Sequence, residues 1–160
     1  MKYKIEKAKV KDVVGIHKLV NKFAKKNLML PRVINDIYER LYEFIVIKEP
    51  KTEKVIGSAA LHLTWTGKDQ EVIAEIRSLA VEEEYQGKGL GKKLVIKLEE
   101  EAKKLGVKKI FALTFIPDFF KKLGYKVVKR EELPHKVWTE CINCPLFLEC
   151  KEVPVIKSLK

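Results

Sequence analysis

The chain has 160 residues, of which 46% are hydrophobic and 34% are charged. This composition excludes a disordered chain, a collagen-like repeat and a small disulfide-rich scaffold. No apolar stretch approaches the roughly 20 residues that a membrane-spanning helix needs, and the N-terminus lacks the apolar core of a signal peptide. We therefore expect one cytoplasmic domain over residues 1–160 without a membrane partner, in which residues 133–160 form a cysteine-containing tail.

The formal net charge is +11, from 33 Lys and Arg against 22 Asp and Glu. Such an excess is typical of proteins that bind nucleic acid, an anionic membrane surface or a phosphate-rich cofactor. Because the lysines are interleaved with glutamates along the whole chain, we interpret most of this charge as solvated surface. Nucleic acid is therefore not an expected partner. The Lys and Glu enrichment with few Gln and Asn is typical of a thermophile.

The first half of the chain predicts a strand, two helices and three strands. The first strand covers residues 3–9, and the first helix has Asp12 as its N-cap. Apolar residues at helical spacing mark its buried face: Val13, Ile16, Leu19, Val20 and Phe23. A second helix begins at Pro31, which suits a first helical position. Strands over residues 43–48, 55–65 and 71–81, joined by short turns, predict an antiparallel meander.

The second half alternates helices and strands. The predicted elements are a helix from near Lys92 to Gly106, a buried strand over 107–115, a short helix from Pro117 to Gly124 and a strand over 125–128. The inward residues of the longer helix are Leu94, Val95, Leu98, Ala102 and Leu105. This order predicts an α/β (α+β) fold with a mixed, mostly antiparallel sheet flanked by helices.

A glycine-rich segment over residues 86–91 links the strand ending at Val81 to the longer helix. Glycines permit positive φ, and a helix N-terminus presents unpaired N–H groups and partial positive charge. Together with Lys88, Lys92 and Lys93, these features suit a pyrophosphate. A Walker loop is excluded by its spacing, and a dinucleotide fingerprint fits poorly because a meander precedes the loop. The alternative is an ordinary strand-to-helix turn.

The loop resembles that of the GNAT acetyltransferase superfamily. The residues that carry this resemblance are Gln86, Gly89 and Gly91, after the strand AEIRSLAV (74–81). Other phrases resemble amino-acid N-acetyltransferases of the N-acetylglutamate synthase type: LPR (30–32), FALTF (111–115), FFKKLGY (119–125) and LPHKVWTECINCP (133–145). At this length the chain resembles a stand-alone version without the amino-acid-kinase domain.

The resemblance implies that acetyl-CoA is the acetyl donor. It assigns cofactor contacts to Leu79, Ala80, Val81, Gln86, Gly87, Lys88, Gly89, Leu90, Gly91 and Lys92. The remaining partners that it implies are CoA and a small amino acid, and a homodimer is among the assemblies expected. It also implies a role in amino-acid biosynthesis, specifically of arginine.

Acetyl transfer to an ammonium group needs a base, and Glu75 is our candidate. The resemblance supports it, because a glutamate in a similar strand serves as base in the histone-acetylating branch of the superfamily. Strand alternation places Glu75, Arg77 and Leu79 on one face if no bulge intervenes. The alternative is a structural ion pair of Glu75 with Arg77 or a lysine. The resemblance also implies that a backbone N–H of Ala80 or Val81 polarises the carbonyl.

Many GNAT enzymes have a tyrosine that protonates the leaving thiolate, and Phe120 occupies that position here. Because phenylalanine cannot donate a proton, we expect no dedicated side-chain acid. Either water or another residue, such as Tyr125 or His135, would supply the proton. We interpret Tyr125 as core packing rather than as an acid.

An amino-acid acceptor also needs its carboxylate bound. The arginine fork suits bidentate capture, and the candidates within family-like phrases are Arg32 and Arg77. Lys136, in another such phrase, could contact either the substrate or the cofactor. Arg40 and Arg130 have less support. Each of these residues could instead form a surface ion pair.

All cysteines lie near the C-terminus. His135, Cys141, Cys144 and Cys150 could close a tetrahedral zinc site. The alternatives are a disulfide, Cys141–Cys144 or Cys144–Cys150, or reduced thiols packed under a loop. In each case we expect this element to anchor the tail rather than to perform chemistry.

These observations predict an N-acetyltransferase that acts on the α-amine of a small amino acid, with glutamate as the leading acceptor. One alternative is acetylation of a protein, a peptide or a polyamine. The other is a non-catalytic module that binds CoA or nucleic acid.

Overall fold

The computed structural model describes residues 3–67, 71–133 and 151–160. The strands are β1 (Ile5–Lys7), β2 (Phe44–Lys48), β3 (Val55–Trp65), β4 (Val72–Val81), β5 (Lys109–Thr114), β6 (Lys126–Val127) and β7 (Val153–Ser158). The helices are α1 (Val13–Ala24), α2 (Ile34–Glu39), α3 (Leu90–Lys104) and α4 (Pro117–Lys122). Within these residues, no helix combines the length and the apolar character that crossing a membrane requires.

The strands form a seven-stranded sheet in the order β1-β2-β3-β4-β5-β7-β6. β1 pairs antiparallel with β2, β2 with β3, and β7 with both β5 and β6. β4 and β5 are parallel, with Ala74 opposite Ile110 and Glu75 opposite Phe111. The predicted mixed, mostly antiparallel sheet is therefore confirmed, and β3 has the predicted bounds.

The described chain divides into two compact units. The first contains Met1–Leu61 and Ile76–Glu100, and the second contains His62–Glu75 and Glu101–Lys160. The described part of the expected tail, Leu133 and residues 151–160, belongs to the second unit, where Val153–Ser158 form β7.

The core of the first unit lies between α1, α2 and the strands. It contains the buried residues Val13, Ile16, Leu19, Val20, Phe23, Ile37, Phe44, Val46, Val55, Ala60 and Ala80. The predicted inward face of α1 is thus confirmed. A Cβ on Gly15 would stand 2.9 Å from Cγ2 of Val55, so α1 approaches β3 more closely than a larger residue would permit.

Of the two predicted helix starts, the first is confirmed in position and the second differs. Asp12 is the N-cap residue of α1, but its side chain makes no cap hydrogen bond, because the carboxylate accepts from the N–H of Lys9 at 2.8 Å and pairs with Nζ of Lys48 at 2.9 Å. α2 begins at Ile34 rather than Pro31. The reason is that the backbone of Arg32 is hydrogen-bonded to a side chain of α1 and not within a helix.

The end of α3 corrects the prediction for Leu105. Leu105 is 63% exposed, because it follows the last helical residue and lies outside the buried stripe. Gly106 has φ +83° and the N–H of Val107 donates to the carbonyl of Ala102 at 3.0 Å, an arrangement that ends many helices.

The second unit contains a strand that the sequence analysis missed. β7 pairs with β5 from Lys109–Ser158 to Thr114–Val153 and separates β5 from β6. Pro154 lacks the N–H that a strand interior usually provides, so local pattern gave little indication of a strand. Beside it, Ile73, Phe111 and Leu133 form a buried cluster with Leu113 and Ile156.

Candidate functional site

The turn between β4 and α3 is shaped by its own side chains and glycines. Nε2 of Gln86 donates to the carbonyl of Val81 at 2.9 Å and ties the turn to the end of β4. Gly87 and Gly89 have φ of +79° and +80°, with open space where a Cβ would stand. Backbone conformation, not lack of room, therefore requires glycine at both positions.

The backbone N–H groups from Gly87 to Lys92 point to anion binding. Within the described ranges none of them donates a hydrogen bond, and the first bond of α3 runs from the N–H of Lys93 to the carbonyl of Gly89 at 3.1 Å. The first turn of α3 has no acidic residue. Free amides at the positive end of a 15-residue helix fit a pyrophosphate.

The lysines of this turn differ in their placement. Nζ of Lys88 lies 5.3 Å from the ring centroid of Tyr85, which gives it a cation–π partner. Lys92 and Lys93 are exposed in the first turn of α3. The side chains of Gln86 and Lys88, both predicted to contact the cofactor, thus have partners within the chain. Lys92 and Lys93 are therefore the lysines best placed to add positive charge beside an anion at this helix end.

Glu82, the first residue after β4, belongs to an ionic cluster. The carboxylate of Glu82 pairs with Nζ of Lys22 at 2.8 Å and with Nζ of Lys54 at 3.1 Å. Its backbone N–H donates to the carbonyl of Ile56 at 2.8 Å. The hydrogen bond from Lys22 is the main cause that lowers the pKa of Glu82. The start of the turn is therefore fixed to both α1 and β3.

β4 is irregular at Ser78, which has φ +54°. Ser78 and Leu79 are both half-buried, whereas a regular strand would alternate. The prediction that Leu79 shares a face with Glu75 and Arg77 assumed that no bulge intervenes, and the positive φ of Ser78 between Arg77 and Leu79 is an irregularity of the kind found at β-bulges. The hydroxyl of the buried Ser58 donates to the carbonyl of Ser78 at 3.0 Å and stabilises this conformation.

Glu75 and Arg77, the two candidate site residues predicted in the middle of β4, are both buried. Glu75 is 3% exposed and Arg77 is 7% exposed, and each has interaction partners in the structure. Burial of this extent is rare for glutamate and arginine unless they are paired or functional.

Arg32 approaches the irregular residue of β4. Its Nε donates to Oγ of Ser78 at 3.3 Å, and its Nη1 pairs with Asp36 at 3.1 Å. Asp36 also accepts from Nε of Arg40 at 3.0 Å. Nη2 of Arg32 makes no hydrogen bond to the described residues, so Arg32 has one nitrogen, not a free fork, for a ligand. Sequence analysis missed Asp36, although its i,i+4 spacing to both arginines is a recognisable signal.

The aromatic residues of α4 agree with a packing role. Phe120 is buried, and its ring packs edge-on against the rings of Phe119 and Tyr125, with 5.1 Å between ring centroids in each pair. Tyr125 is also buried, with Nζ of Lys157 5.5 Å from its ring centroid. These contacts support our interpretation of Tyr125 as part of a core.

The C-terminal candidates lie outside the described residues. These are Lys136 and the predicted zinc ligands His135, Cys141, Cys144 and Cys150. In the ranges that the structure does describe, no group of three or more His, Cys, Asp or Glu side chains could hold a metal ion.

Comparison with known proteins gives a consistent result. A family model described as "Acetyltransferase (GNAT) family" matches residues 16–125. An uncharacterized N-acetyltransferase of Chlorobaculum tepidum is 37% identical over 155 residues, which cover 97% of this chain and 96% of that protein. An amino-acid acetyltransferase of Mycobacterium tuberculosis is 31% identical over 137 residues, covering 85% of this chain and 75% of the relative.

Among solved structures, the N-acetylglutamate synthase from Neisseria gonorrhoeae, complexed with coenzyme A and N-acetyl-glutamate, matches with a TM-score of 0.86 and 22% identity. The match covers 100% of this chain and 36% of the synthase, so the chain spans about a third of that protein's length. At this identity the likeness shows the fold.

Proposed function

Because this chain belongs to the GNAT acetyltransferase family and is an acetyl-CoA-dependent N-acetyltransferase, we propose that its acceptor is the α-amine of a small amino acid, with L-glutamate as the leading candidate. The amino-acid acetyltransferase relative and the fold shared with N-acetylglutamate synthase support this choice. With this acceptor the enzyme would act in amino-acid biosynthesis. The resemblance implies that the amino acid finally made is arginine.

The observation that carries the proposal is that the backbone N–H groups from Gly87 to Lys92 donate no hydrogen bond to any residue that the structure describes. Acetyl-CoA supplies an acetyl group activated as a thioester. The amides would bind its pyrophosphate, and Lys92 and Lys93 would add positive charge beside it. The backbone of Leu79 to Val81, just before the turn, would lie along the pantetheine arm.

Glu75 is the base in our proposal. Its carboxylate would accept a proton from the acceptor ammonium, directly or through one water, so that a neutral amine is available. The N–H of Ala80 or Val81 would donate to the carbonyl oxygen as negative charge develops there. Phe120 cannot donate a proton, so we propose that water relays to the departing sulfur the proton that the attacking amine loses as the C–N bond forms and the C–S bond breaks.

Arg32 and Arg77 are the proposed carboxylate ligands of the acceptor. Nη2 of Arg32 can bind the acceptor carboxylate while Nε and Nη1 keep their contacts with Ser78 and Asp36. Because only one nitrogen of Arg32 remains, a second cationic side chain would strengthen binding of the carboxylate. Lys136, in the family-like phrase that begins at Leu133, is the further candidate for this role.

The first test measures CoA release from acetyl-CoA with each of the twenty amino acids, with peptides bearing free N-termini and with spermidine. We expect turnover with amino acids, highest with L-glutamate. Turnover confined to peptides or spermidine would contradict the proposal. A lack of CoA release from every acceptor, together with no thermal stabilisation by acetyl-CoA, would contradict the enzyme assignment itself.

The second test compares two isosteric variants of buried glutamates. Glu75→Gln should lower kcat by roughly 10²- to 10⁴-fold, the usual contribution of a positioned base. Glu99→Gln, in α3, serves as the matched control because Glu99 is also buried but has no proposed role. Equal kcat values for the two variants would refute the base assignment.

A further inference from the structure

The side chain of Asn21 binds the backbone of Arg32 at two points. Asn21 lies in α1, where its Nδ2 donates to the carbonyl of Arg32 at 3.0 Å and its Oδ1 accepts from the N–H of Arg32 at 3.2 Å. The same Nδ2 donates to the carbonyl of His17 at 2.8 Å. Both amide hydrogens and the amide oxygen are therefore used, so that no freedom of orientation remains.

The contact with Asn21 supplies the backbone hydrogen bonds that a helix or strand would otherwise give to Arg32. Arg32 lies between α1 and α2, so neither a helix nor a strand satisfies its N–H and carbonyl. Asn21 satisfies both groups, as a neighbouring strand would. Because α1 is packed into the core of the first unit, the Cα of Arg32 is fixed to a rigid element although it belongs to a loop.

The guanidinium of Arg32 extends from this fixed point to the irregular residue of β4. Nε donates to Ser78 and Nη1 pairs with Asp36. These contacts set the direction of Nη2, the nitrogen that remains for a ligand. A shift of the Arg32 backbone would disturb both contacts and move Nη2 with them.

We propose that Asn21 is a positioning residue for binding of the acceptor carboxylate, acting through the backbone of Arg32. This inference rests on the proposed function, in which Arg32 contacts the acceptor. Asn21 itself touches neither substrate. Its loss should therefore weaken acceptor binding selectively and leave the pyrophosphate turn unchanged.

The test uses the full chain and steady-state kinetics with L-glutamate, or with the amino acid that the wild-type enzyme turns over fastest. Asn21→Ala should raise KM for the acceptor roughly tenfold or more, because a small displacement of a binding group costs that much. KM for acetyl-CoA should stay within about twofold. Asn35→Ala is the matched control, since Asn35 is exposed and donates only to Glu39 within α2.

A double-mutant cycle shows whether the effect passes through Arg32. Arg32→Ala should raise the acceptor KM by itself, and adding Asn21→Ala should then produce no further rise. Circular dichroism melts establish that each variant is folded. If Asn21→Ala is unfolded at the assay temperature, Asn21→Asp decides, because it keeps the size and the acceptor atom but loses both donors.

The outcomes separate this inference from the proposed function. A wild-type enzyme inactive on every α-amino acid would overturn both. An active wild type with an unchanged acceptor KM in a folded Asn21 variant would overturn the positioning role alone. Equal rises in both KM values, or additive effects in the cycle, would indicate general destabilisation and would also overturn it.

Discussion

Helices α3 and α4 each follow a strand after a short turn, but their first turns have opposite properties. α3 has 15 residues, no acidic residue in its first turn and amides from Gly87 to Lys92 that are free within the described chain. α4 has six residues, starts with Pro117, which has no N–H, and carries Asp118 in its first turn. The N–H of Ile116, just before it, already donates to Oγ1 of Thr114 at 2.9 Å.

The difference indicates which features would let a helix start bind an anion. A helix N-terminus is present in both cases, so the dipole alone does not distinguish them. At α3, positive-φ glycines precede the helix, lysines follow and the first turn has no acidic residue. At α4, proline, aspartate and a threonine hydroxyl remove or neutralise the donors.

Among the substitutions that test this comparison, Gly89→Ala should have the largest effect. At φ +80°, a side chain adds roughly 1–2 kcal/mol of backbone strain, so the turn should change shape and its amides should be displaced. We expect KM for acetyl-CoA to rise about tenfold or more, because several donors are displaced together. Steady-state kinetics and thermal stabilisation by CoA measure it.

Gly106→Ala is the control for this change. Gly106 has φ +83° and, like Gly89, open space around its Cβ position, but it lies at the opposite end of α3. The loss of thermal stability should be similar in the two variants. A KM for acetyl-CoA that rises equally in both would show that strain, and not loss of the amide site, causes the effect.

A smaller effect is expected from Lys92→Glu, which gives α3 an acid in its first turn, as α4 has. Repulsion of the pyrophosphate should raise KM for acetyl-CoA several-fold, and the rise should shrink as salt increases. Lys104→Glu makes the same charge change roughly 18 Å away, at 1.5 Å per residue along the helix. If Lys104→Glu has an equal effect, net charge explains the result and the local site does not.

The smallest effect concerns the Glu82 cluster, which has no counterpart at α4. The pKa of Glu82 is lowered from 4.5, chiefly by its hydrogen bond from Lys22. A lowered folded-state pKa means that the contribution to stability is present above the unfolded pKa and is lost as pH falls through the folded value. At pH 7, Glu82→Gln should therefore be slightly less stable than wild type, by no more than about 1 kcal/mol, since both lysines are exposed.

This difference should shrink as the pH falls below about 4.5. Thermal melts of wild type and Glu82→Gln at pH 7 and in acid measure it. A gap that stays constant or widens in acid would contradict the assigned role of the cluster.

Periodic elements were predictable from sequence, whereas the features that shape the site were not. The apolar spacing of α1 and the long run of β3 appear directly in the residue pattern, since burial determines both. The irregularity at Ser78 has no local signal, because serine does not favour positive φ and the conformation depends on Ser58 and Arg32. Tertiary hydrogen bonds, not propensity, set this part of β4.

The environment of Arg32 illustrates the same limit. The LPR phrase identified the residue, but its fork is already engaged by Ser78 and Asp36. An asparagine in the interior of a helix is a weak signal that its side chain binds backbone, and Asn21 does so. Only the fold reveals that the bound backbone belongs to Arg32.

The placement of β7 bears on synthesis of the protein. β5 pairs antiparallel with β7, which ends at Ser158. Because β7 lies roughly 40 positions after β5 in the chain, at about 5–20 residues per second it is synthesised a few seconds later. During that interval one edge of β5 lacks a pairing strand, and β6 has no strand to join. Such an open edge attracts other extended segments, so the nascent chain should depend most on chaperones between the completion of β5 and the emergence of β7.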